Sequence, residues 1–237
     1  KFKYMSFNKE QLYVFASSRK WHLEEFQKIK NTLPGKWEVI TNKEELIFDK
    51  LIKLNPRYIF FPHWSDFVDE KITDRFNCIC FHETEVPYGK GGSPIQNLII
   101  KGKEKTKITA LKMTSKIDSG PIYLQEEFSL IGLAEEIYIR SAKLMLGMIK
   151  DIILNNPIPK EQCGESIYFK RRDPEESFIG EEIENIESLF NFIRMLDADG
   201  YPRAKLKTKN FTLEFSRPAL RTSCIEASVK IKNFKNT

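Results

Sequence analysis

Apolar and polar residues fall into alternating blocks along the first half of the chain, and these blocks predict strands separated by amphipathic helices. Four runs have a mainly apolar centre, and the third is apolar throughout, as in strands that are buried on both faces of a sheet: residues 11–18, 36–41, 58–62 and 77–82. Helical spacing of apolar residues lies between them, at 21–31, 42–54 and 68–76. This alternation predicts an α/β domain with a mainly parallel sheet.

The pattern changes in the second half of the chain. Residues 93–101 are predicted to form a helix, and two alternating stretches, 105–114 and 121–129, are predicted to pair around the turn at 116–120. The longest helical pattern covers 134–155. Pro157 and Pro159 then mark a boundary, which a helix at 185–196 and strands at 205–215 and 225–231 follow. We predict a first domain over 1–160 and a connector with a small α+β, β-rich C-terminal region over 161–237.

Composition narrows the class of protein. The chain has 237 residues, of which 41% are hydrophobic and 30% are charged, which fits a globular domain with a sizeable core. No apolar run reaches the roughly 18 residues that span a bilayer, and the N-terminus lacks a signal-peptide pattern. We therefore expect a cytoplasmic protein without a membrane partner.

Charge and cysteine content add little specific chemistry. The net charge is +5, and from Gly200 onward nine Lys and Arg face two Asp and Glu, so that this part carries +7 and the rest −2. Such a stretch can contact phosphates, although similar charges are more often simply solvated. The four cysteines form no Cys-x-x-Cys pair. We expect Cys78 and Cys80 to be buried, reduced thiols, and we expect no metal site.

The stretch with the most candidate catalytic and binding residues follows the fourth predicted strand. This strand ends at His82, and the loop after it contains Gly89, Gly91 and Gly92 before the next helix. Open α/β folds bind ligands at the carboxyl ends of their strands. Of the three histidines, His82 has the placement best suited to chemistry, whereas His22 is expected on the surface of a helix. The alternative is an ordinary strand-to-helix connection.

These residues resemble the formyltransferases that use formyltetrahydrofolate. That family carries Asn-x-His, a proline five residues after the histidine, a glycine-containing loop, Pro-Ile and, further on, Asp-x-Gly. The matching positions here are His82, Pro87, Gly91, Pro94-Ile95 and Asp118-Ser119-Gly120. Cys80 stands where the family has asparagine, and a thiol does not supply the amide donor. The resemblance covers roughly residues 12–159 and implies a Rossmann-like formyltransferase domain with formyltetrahydrofolate as the formyl donor.

The resemblance also implies catalytic roles for His82 and Asp118. Acyl transfer to an amine needs a stabilised oxyanion and a group that removes the amine proton. A protonated His82 would donate to the oxyanion, and Asp118 would hold the imidazolium or accept the proton. The residue types leave the replacement for the family asparagine open among Thr84, Gln96 and a backbone N–H of the loop. Taken alone, Asp118 also fits a turn residue.

Two further groups of residues are expected to bind ligands. For the folate, the residues after the third strand supply an apolar, stacking surface, unless they form a core cluster: Phe61, Pro62, His63, Trp64 and Phe67. For the acceptor, the loop and the connector supply small and cationic residues, unless the arginines are solvated charges: Thr84, Lys90, Gly91, Gly92, Arg171 and Arg172.

The acceptor is the least determined feature. Residues 82–99 and 194–204 most resemble nucleotide-sugar N-formyltransferases of the pseudaminic-acid route. This implies formylation of a UDP-linked 4-amino-4,6-dideoxy-N-acetyl-altrosamine type of amino sugar, with the nucleotide sugar and folate as partners and no nucleic acid. The alternatives are a methionyl-tRNA or other small-molecule formyltransferase, a folate-binding domain with reduced activity, and a nucleotide-binding regulatory protein. The sequence leaves open the sugar, the base and whether the chain forms a homodimer.

Overall fold

The short apolar runs form the centre of a sheet. The computed structural model describes residues 10–233, and its first four strands are β1 (Leu12–Ala16), β2 (Lys36–Ile40), β3 (Tyr58–Pro62) and β4 (Cys78–His82). The pairs β1–β2, β1–β3 and β3–β4 are all parallel. Every residue of β3 is buried, because this strand lies between β1 and β4 and is covered on both faces. The predicted parallel sheet is therefore confirmed.

The helices between these strands match the prediction with two corrections. They are α1 (Lys20–Ile29), α2 (Phe48–Leu54) and α3 (Glu70–Arg75). Ser18, shortly before the predicted helix, is of a residue type that favours helix caps, but the cap position of α1 is Arg19, whose side chain makes no capping hydrogen bond. The helix predicted from residue 42 is two pieces, because Asn42 caps the 3₁₀ turn Lys43–Glu45 and α2 begins only afterwards.

The glycine loop contains a short strand that the pattern does not predict. This strand, β5 (Tyr88–Gly91), precedes α4 (Pro94–Ile100), whose cap is Ser93. The predicted pair follows as β6 (Lys105–Lys112) and β7 (Ile122–Ser129), and the chain then enters α5 (Ala134–Asn155). β6 runs antiparallel to β4, which gives the six-stranded order β2-β1-β3-β4-β6-β7.

The C-terminal part supplies small sheets and one helix. β8 (Ile167–Phe169) pairs with β5, and α6 (Ile186–Met195) precedes a separate antiparallel sheet. That sheet has the order β11-β10-β9 and is formed by β9 (Ala204–Lys207), β10 (Phe211–Leu220) and β11 (Ile225–Asn233). One strand was expected over 205–215, but Thr208 accepts the N–H of Phe211 through its hydroxyl, at 3.0 Å, in a turn that separates two strands.

The described residues divide into two compact units, each assembled from three stretches. The first unit comprises 10–90, Lys107–Glu127 and Ile139–Tyr168, and the second comprises Gly91–Thr106, Phe128–Tyr138 and 169–233. The predicted α/β class with a small C-terminal region is confirmed, whereas the domain boundary at residue 160 stays a prediction. Among the described residues, no helix is both long enough and apolar enough to cross a bilayer.

Candidate active site

His82 occupies the carboxyl end of β4, in the first unit, and each of its two ring nitrogens faces an oxygen atom. The side chain is buried, and Nε2 lies 2.8 Å from the carbonyl oxygen of Gly89. Because a carbonyl only accepts, Nε2 carries the proton of this hydrogen bond. On the other side, Nδ1 lies 3.5 Å from Oδ2 of Asp118. The structure therefore brings the two predicted catalytic residues together.

Thr84 supports the orientation of His82. It is fully buried, and its hydroxyl donates to the same Gly89 carbonyl at 3.4 Å. The Thr84 carbonyl in turn accepts from the hydroxyl of Thr109 at 2.7 Å, and Thr109 accepts from Gln125 at 3.0 Å. This chain of hydrogen bonds fixes the loop carbonyl that sets the direction of the imidazole. The role of Thr84 in binding a substrate stays a prediction.

Asp118 is placed by a strained turn that a distant glutamine holds. Its φ of 47° lies in the left-handed region, where a non-glycine residue is unusual. The amide of Gln162 donates to the Asp118 carbonyl at 2.8 Å and to the Gly120 carbonyl at 2.9 Å. Sequence reasoning missed Gln162, because no local pattern links it to a turn 44 residues earlier. Its two hydrogen bonds stabilise the turn that aims the carboxylate at His82.

Gly120 is required by close packing at this turn. A Cβ added at this position would lie 1.8 Å from the carbonyl oxygen of Lys112. We expect Gly120→Ala to lower the free energy of unfolding by about 1–3 kcal/mol and to displace Asp118. Chemical denaturation measures the first effect, and turnover measures the second. Gly147→Ala is the matched control, because its added Cβ meets nothing within 4 Å and it lies in α5, so an equal loss of stability there would contradict this explanation.

Cys80, where the family has asparagine, is a neutral thiol. Burial, reinforced by the charge of Asp118, raises the pKa of the Cys80 thiol well above its usual range. Its Sγ lies 3.7 Å from the carbonyl oxygen of Leu111, a weak contact. Burial likewise raises the pKa of its neighbour Cys78 to about 12. Both cysteines are free; Cys78 is buried as expected, whereas Cys80 is only half-buried. Cys80 does not supply a strong hydrogen-bond donor in place of the family asparagine.

Lys90 reaches towards the Asp118 turn instead of solvent. The residue is buried, and its ammonium donates to Ser166 at 2.9 Å and to Ser119 at 3.3 Å. None of the ion pairs found within residues 10–233 involves Lys90. A positive charge is thus held beside the residue that follows Asp118. Its predicted contact with a substrate phosphate stays a prediction.

The residues predicted to bind folate do not share one surface. Phe61 and Pro62 are buried in the sheet, and Phe61 stacks edge-on against Trp64 with ring centroids 5.6 Å apart. Phe67 is 80% exposed. His63 has a left-handed φ of 51° and lies 3.1 Å from the buried Glu83. Burial acts to raise the pKa of Glu83, but His63 and, to a lesser extent, His82 hold it below its usual value.

The remaining predicted residues lie in the second unit. Gly92 packs so closely on Arg171 that an added Cβ would lie 2.3 Å from the Cβ of that residue, and a Cβ at Gly91 would lie 2.6 Å from the Phe169 carbonyl. Arg171 is exposed, whereas Arg172 donates to the Glu176 carbonyl at 2.7 Å. Arg172 also lines a small cavity of about 90 Å³ together with Ser93, Gln96 and Tyr201. Gln96 donates to the Tyr138 hydroxyl at 2.7 Å.

The fold and site define a Rossmann-like α/β domain with a histidine–carboxylate pair at the carboxyl end of β4. A solved structure of a methionyl-tRNA formyltransferase from Clostridium thermocellum is 40% identical, with a TM-score of 0.91, and the match covers 94% of this chain and 100% of that one. This chain therefore belongs to the formyltransferase family. The family model described as "Methionyl-tRNA formyltransferase, C-terminal domain" matches residues 174–232.

Two more distant relatives are similar, one in sequence and one in fold. The methionyl-tRNA formyltransferase of Thermotoga maritima is 29% identical over 177 residues, which cover 71% of this chain and 56% of that protein. The chain thus spans about half the length of the curated relatives it matches. A sugar N-formyltransferase from a Shewanella species is 16% identical, with a TM-score of 0.63 and coverage of 84% of this chain and 93% of that one, and shows a shared fold alone.

These comparisons do not support the nucleotide-sugar acceptor that the sequence led us to expect. The resemblance of residues 82–99 and 194–204 predicts a nucleotide-sugar enzyme of the pseudaminic-acid route, without a nucleic acid partner. The relatives with the higher identity are methionyl-tRNA formyltransferases, and the sugar enzyme is distant.

Proposed function

We propose that this protein transfers the formyl group of formyltetrahydrofolate to a primary amine. The observation that carries the proposal is the geometry of His82, whose Nε2 is fixed on the Gly89 carbonyl while Nδ1 faces Asp118. A fixed donor beside a carboxylate is what acyl transfer to an amine requires. Membership in the formyltransferase family supports formyltetrahydrofolate as the source of the formyl group.

His82 would act through Nδ1. The separation of 3.5 Å from Asp118 exceeds the usual 2.7–3.2 Å of an N–H···O hydrogen bond, so Nδ1 is near the carboxylate without being locked to it. When the amine nitrogen attacks the formyl carbon, the carbonyl oxygen gains negative charge, and the Nδ1 proton would stabilise it. Nε2 stays on Gly89 and keeps the ring in place.

Asp118 would take the proton that the amine loses. The nitrogen forms a bond to the formyl carbon and transfers its proton to the carboxylate, and the tetrahedral intermediate then breaks the bond to the folate nitrogen. That nitrogen leaves with a proton returned from Asp118. The products are the formylated amine and tetrahydrofolate, so that atoms and charges balance.

We propose methionyl-tRNA as the acceptor, which the relatives of higher identity support. The separate C-terminal sheet supplies a matching surface. Its register aligns Lys205, Glu214 and Lys230 across the three strands, and Lys207, Thr212 and Lys232 one step further. Residues at such cross-strand positions share a face. This face, which we call the lysine face, therefore carries four lysines and one glutamate, as suits contact with an RNA backbone.

An acceptor comparison tests this assignment. Purified protein and formyltetrahydrofolate are incubated with methionyl-tRNA or with a UDP-linked 4-amino sugar, and formylation is followed by mass. We expect methionyl-tRNA to be formylated, with a Michaelis constant that rises steeply with salt because several phosphates are contacted together. The double variant Lys207→Gln, Lys230→Gln should weaken that salt dependence. Formylation of the sugar alone would restore the nucleotide-sugar assignment while leaving the formyl chemistry in place.

A further inference from the structure

Lys90, on β5, carries a positive charge into the interior of the first unit. The residue is 4% exposed, and its ammonium donates to the hydroxyls of Ser166 at 2.9 Å and of Ser119 at 3.3 Å. The ammonium also lies 5.8 Å from the ring centroid of Tyr168. In the part of the chain that the structure describes, no carboxylate forms an ion pair with it. A buried charge is costly without an opposite charge, and this cost indicates that the charge has a role besides packing.

The Ser119 hydroxyl links this ammonium to the turn that carries Asp118. Its oxygen accepts from Lys90, and its proton is donated to the carbonyl oxygen of Ile117 at 2.9 Å. Ile117 and Ser119 flank Asp118, whose φ of 47° lies in the left-handed region. A non-glycine residue keeps such a conformation only when its surroundings hold it there. The hydrogen bonds that run from Lys90 through Ser119 to Ile117 supply this support.

Gln162 holds the same turn in a different way. Its amide donates to two backbone carbonyls, those of Asp118 and Gly120. Lys90 instead holds a side chain of the turn, and it ties that side chain to Ser166, which lies just before β8. Lys90 also brings a full positive charge next to Asp118 in the sequence, which the neutral amide of Gln162 does not.

We propose that Lys90 is a positioning residue for Asp118: through Ser119, its ammonium keeps the Asp118 carboxylate directed at Nδ1 of His82. The proposal rests on the proposed function, in which Asp118 accepts the amine proton. Oδ2 and Nδ1 are 3.5 Å apart, and a displacement of about 1 Å is enough to slow such a reaction strongly. A substrate phosphate would need an accessible ammonium, whereas this one is buried and already donates to two hydroxyls of the protein.

Lys90→Met tests the proposal, because methionine is of similar length and lacks the charge and the donors. We expect the turnover number to fall by about 10²-fold, with little change in the Michaelis constants for formyltetrahydrofolate and methionyl-tRNA, since the lost contact acts on a reacting group. Lys90→Arg keeps the charge and should recover part of the turnover. Lys101→Met is the matched control, because Lys101 also lies over an aromatic ring, that of Phe169, but belongs to the second unit. Its turnover should equal that of the unaltered chain.

A double-mutant cycle tests the route through Ser119. Ser119→Ala removes the link and leaves Lys90 in place. If Lys90 acts through Ser119, the double variant loses no more turnover than Lys90→Met alone. Losses that multiply would show that the two residues act independently and would overturn the proposal. A Michaelis constant for methionyl-tRNA that rises in Lys90→Met while the turnover number stays unchanged would also overturn it, in favour of a phosphate contact.

Crystal structures of the variants test the positioning without formyl transfer. We expect the Asp118 carboxylate to move away from His82 by about 1 Å in Lys90→Met and in Ser119→Ala, and to stay in place in Lys101→Met. A carboxylate that stays in place in the first two variants contradicts the proposal. If it moves while the unaltered chain formylates no amine, the proposed function fails and the positioning of Asp118 by Lys90 stands. Ser119→Ala gives the same comparison if Lys90→Met does not fold.

Discussion

Replacement of His82 by asparagine is expected to lower turnover about 10²–10³-fold, the usual loss when one oxyanion donor is removed. Asparagine is shorter than histidine and lacks a group that reaches both the Gly89 carbonyl and Asp118, so the donor at Nδ1 is lost. The measurement is single-turnover formyl transfer at saturating folate.

The control for this variant is its folded state. The unfolding midpoint and the dissociation constant for folate should stay close to those of the unaltered chain. A folded variant that binds folate and turns over near normally would remove His82 from the mechanism. A variant that loses folate binding instead would make His82 a binding residue.

Asp118→Asn is expected to produce a similarly large fall in turnover with little change in folate affinity. The amide keeps the size of the carboxylate, and the Gln162 hydrogen bonds go to backbone carbonyls that the change does not remove. What is lost is the charge beside His82 and the acceptor for the amine proton, which contribute in the transition state. The experiment separates the turnover number from the folate dissociation constant.

Asp151→Asn is the matched control for this change. Asp151 is exposed on α5, so that the same chemical replacement there should leave turnover unchanged. If Asp118→Asn instead loses folate binding while the bound complex reacts normally, Asp118 is a structural turn residue, as the Ile117–Gly120 sequence alone would also allow.

The sequence predicts the sheet well because its signal is local. β3 is apolar at every position and central in the sheet, so that burial on both faces follows from five consecutive residues. His82 and Asp118 were found for a different reason, since their spacing to Pro87, Gly91 and Gly120 resembles a family pattern. β8 has only three residues, and two of them are exposed, so that this strand has no periodic pattern in the sequence.

What the sequence does not predict depends on contacts between distant residues. His22 was expected on the helix surface, and this prediction is wrong, since the residue is 1% exposed. Helical spacing could not show that His22 turns towards His63, 41 positions later, because the N-terminal turn of a helix is the least regular part of its pattern. The buried Arg194, which donates to the Leu130 and Gly132 carbonyls at 2.7 and 2.9 Å, resembles an ordinary helix-surface charge in the sequence. Glu83 likewise gains its role only when folding brings it to His63.

Transfer of an isotopically labelled formyl group is the most direct test of the central claim. The protein is mixed with formyltetrahydrofolate labelled at the formyl carbon and with methionyl-tRNA, and the label is located by mass on the methionyl amine. We predict stoichiometric appearance of the label on that amine, with loss of the signal in His82→Asn and Asp118→Asn. Label that stays on folate with every amine acceptor tried, while folate binds normally, would contradict a formyl-transfer function for this site.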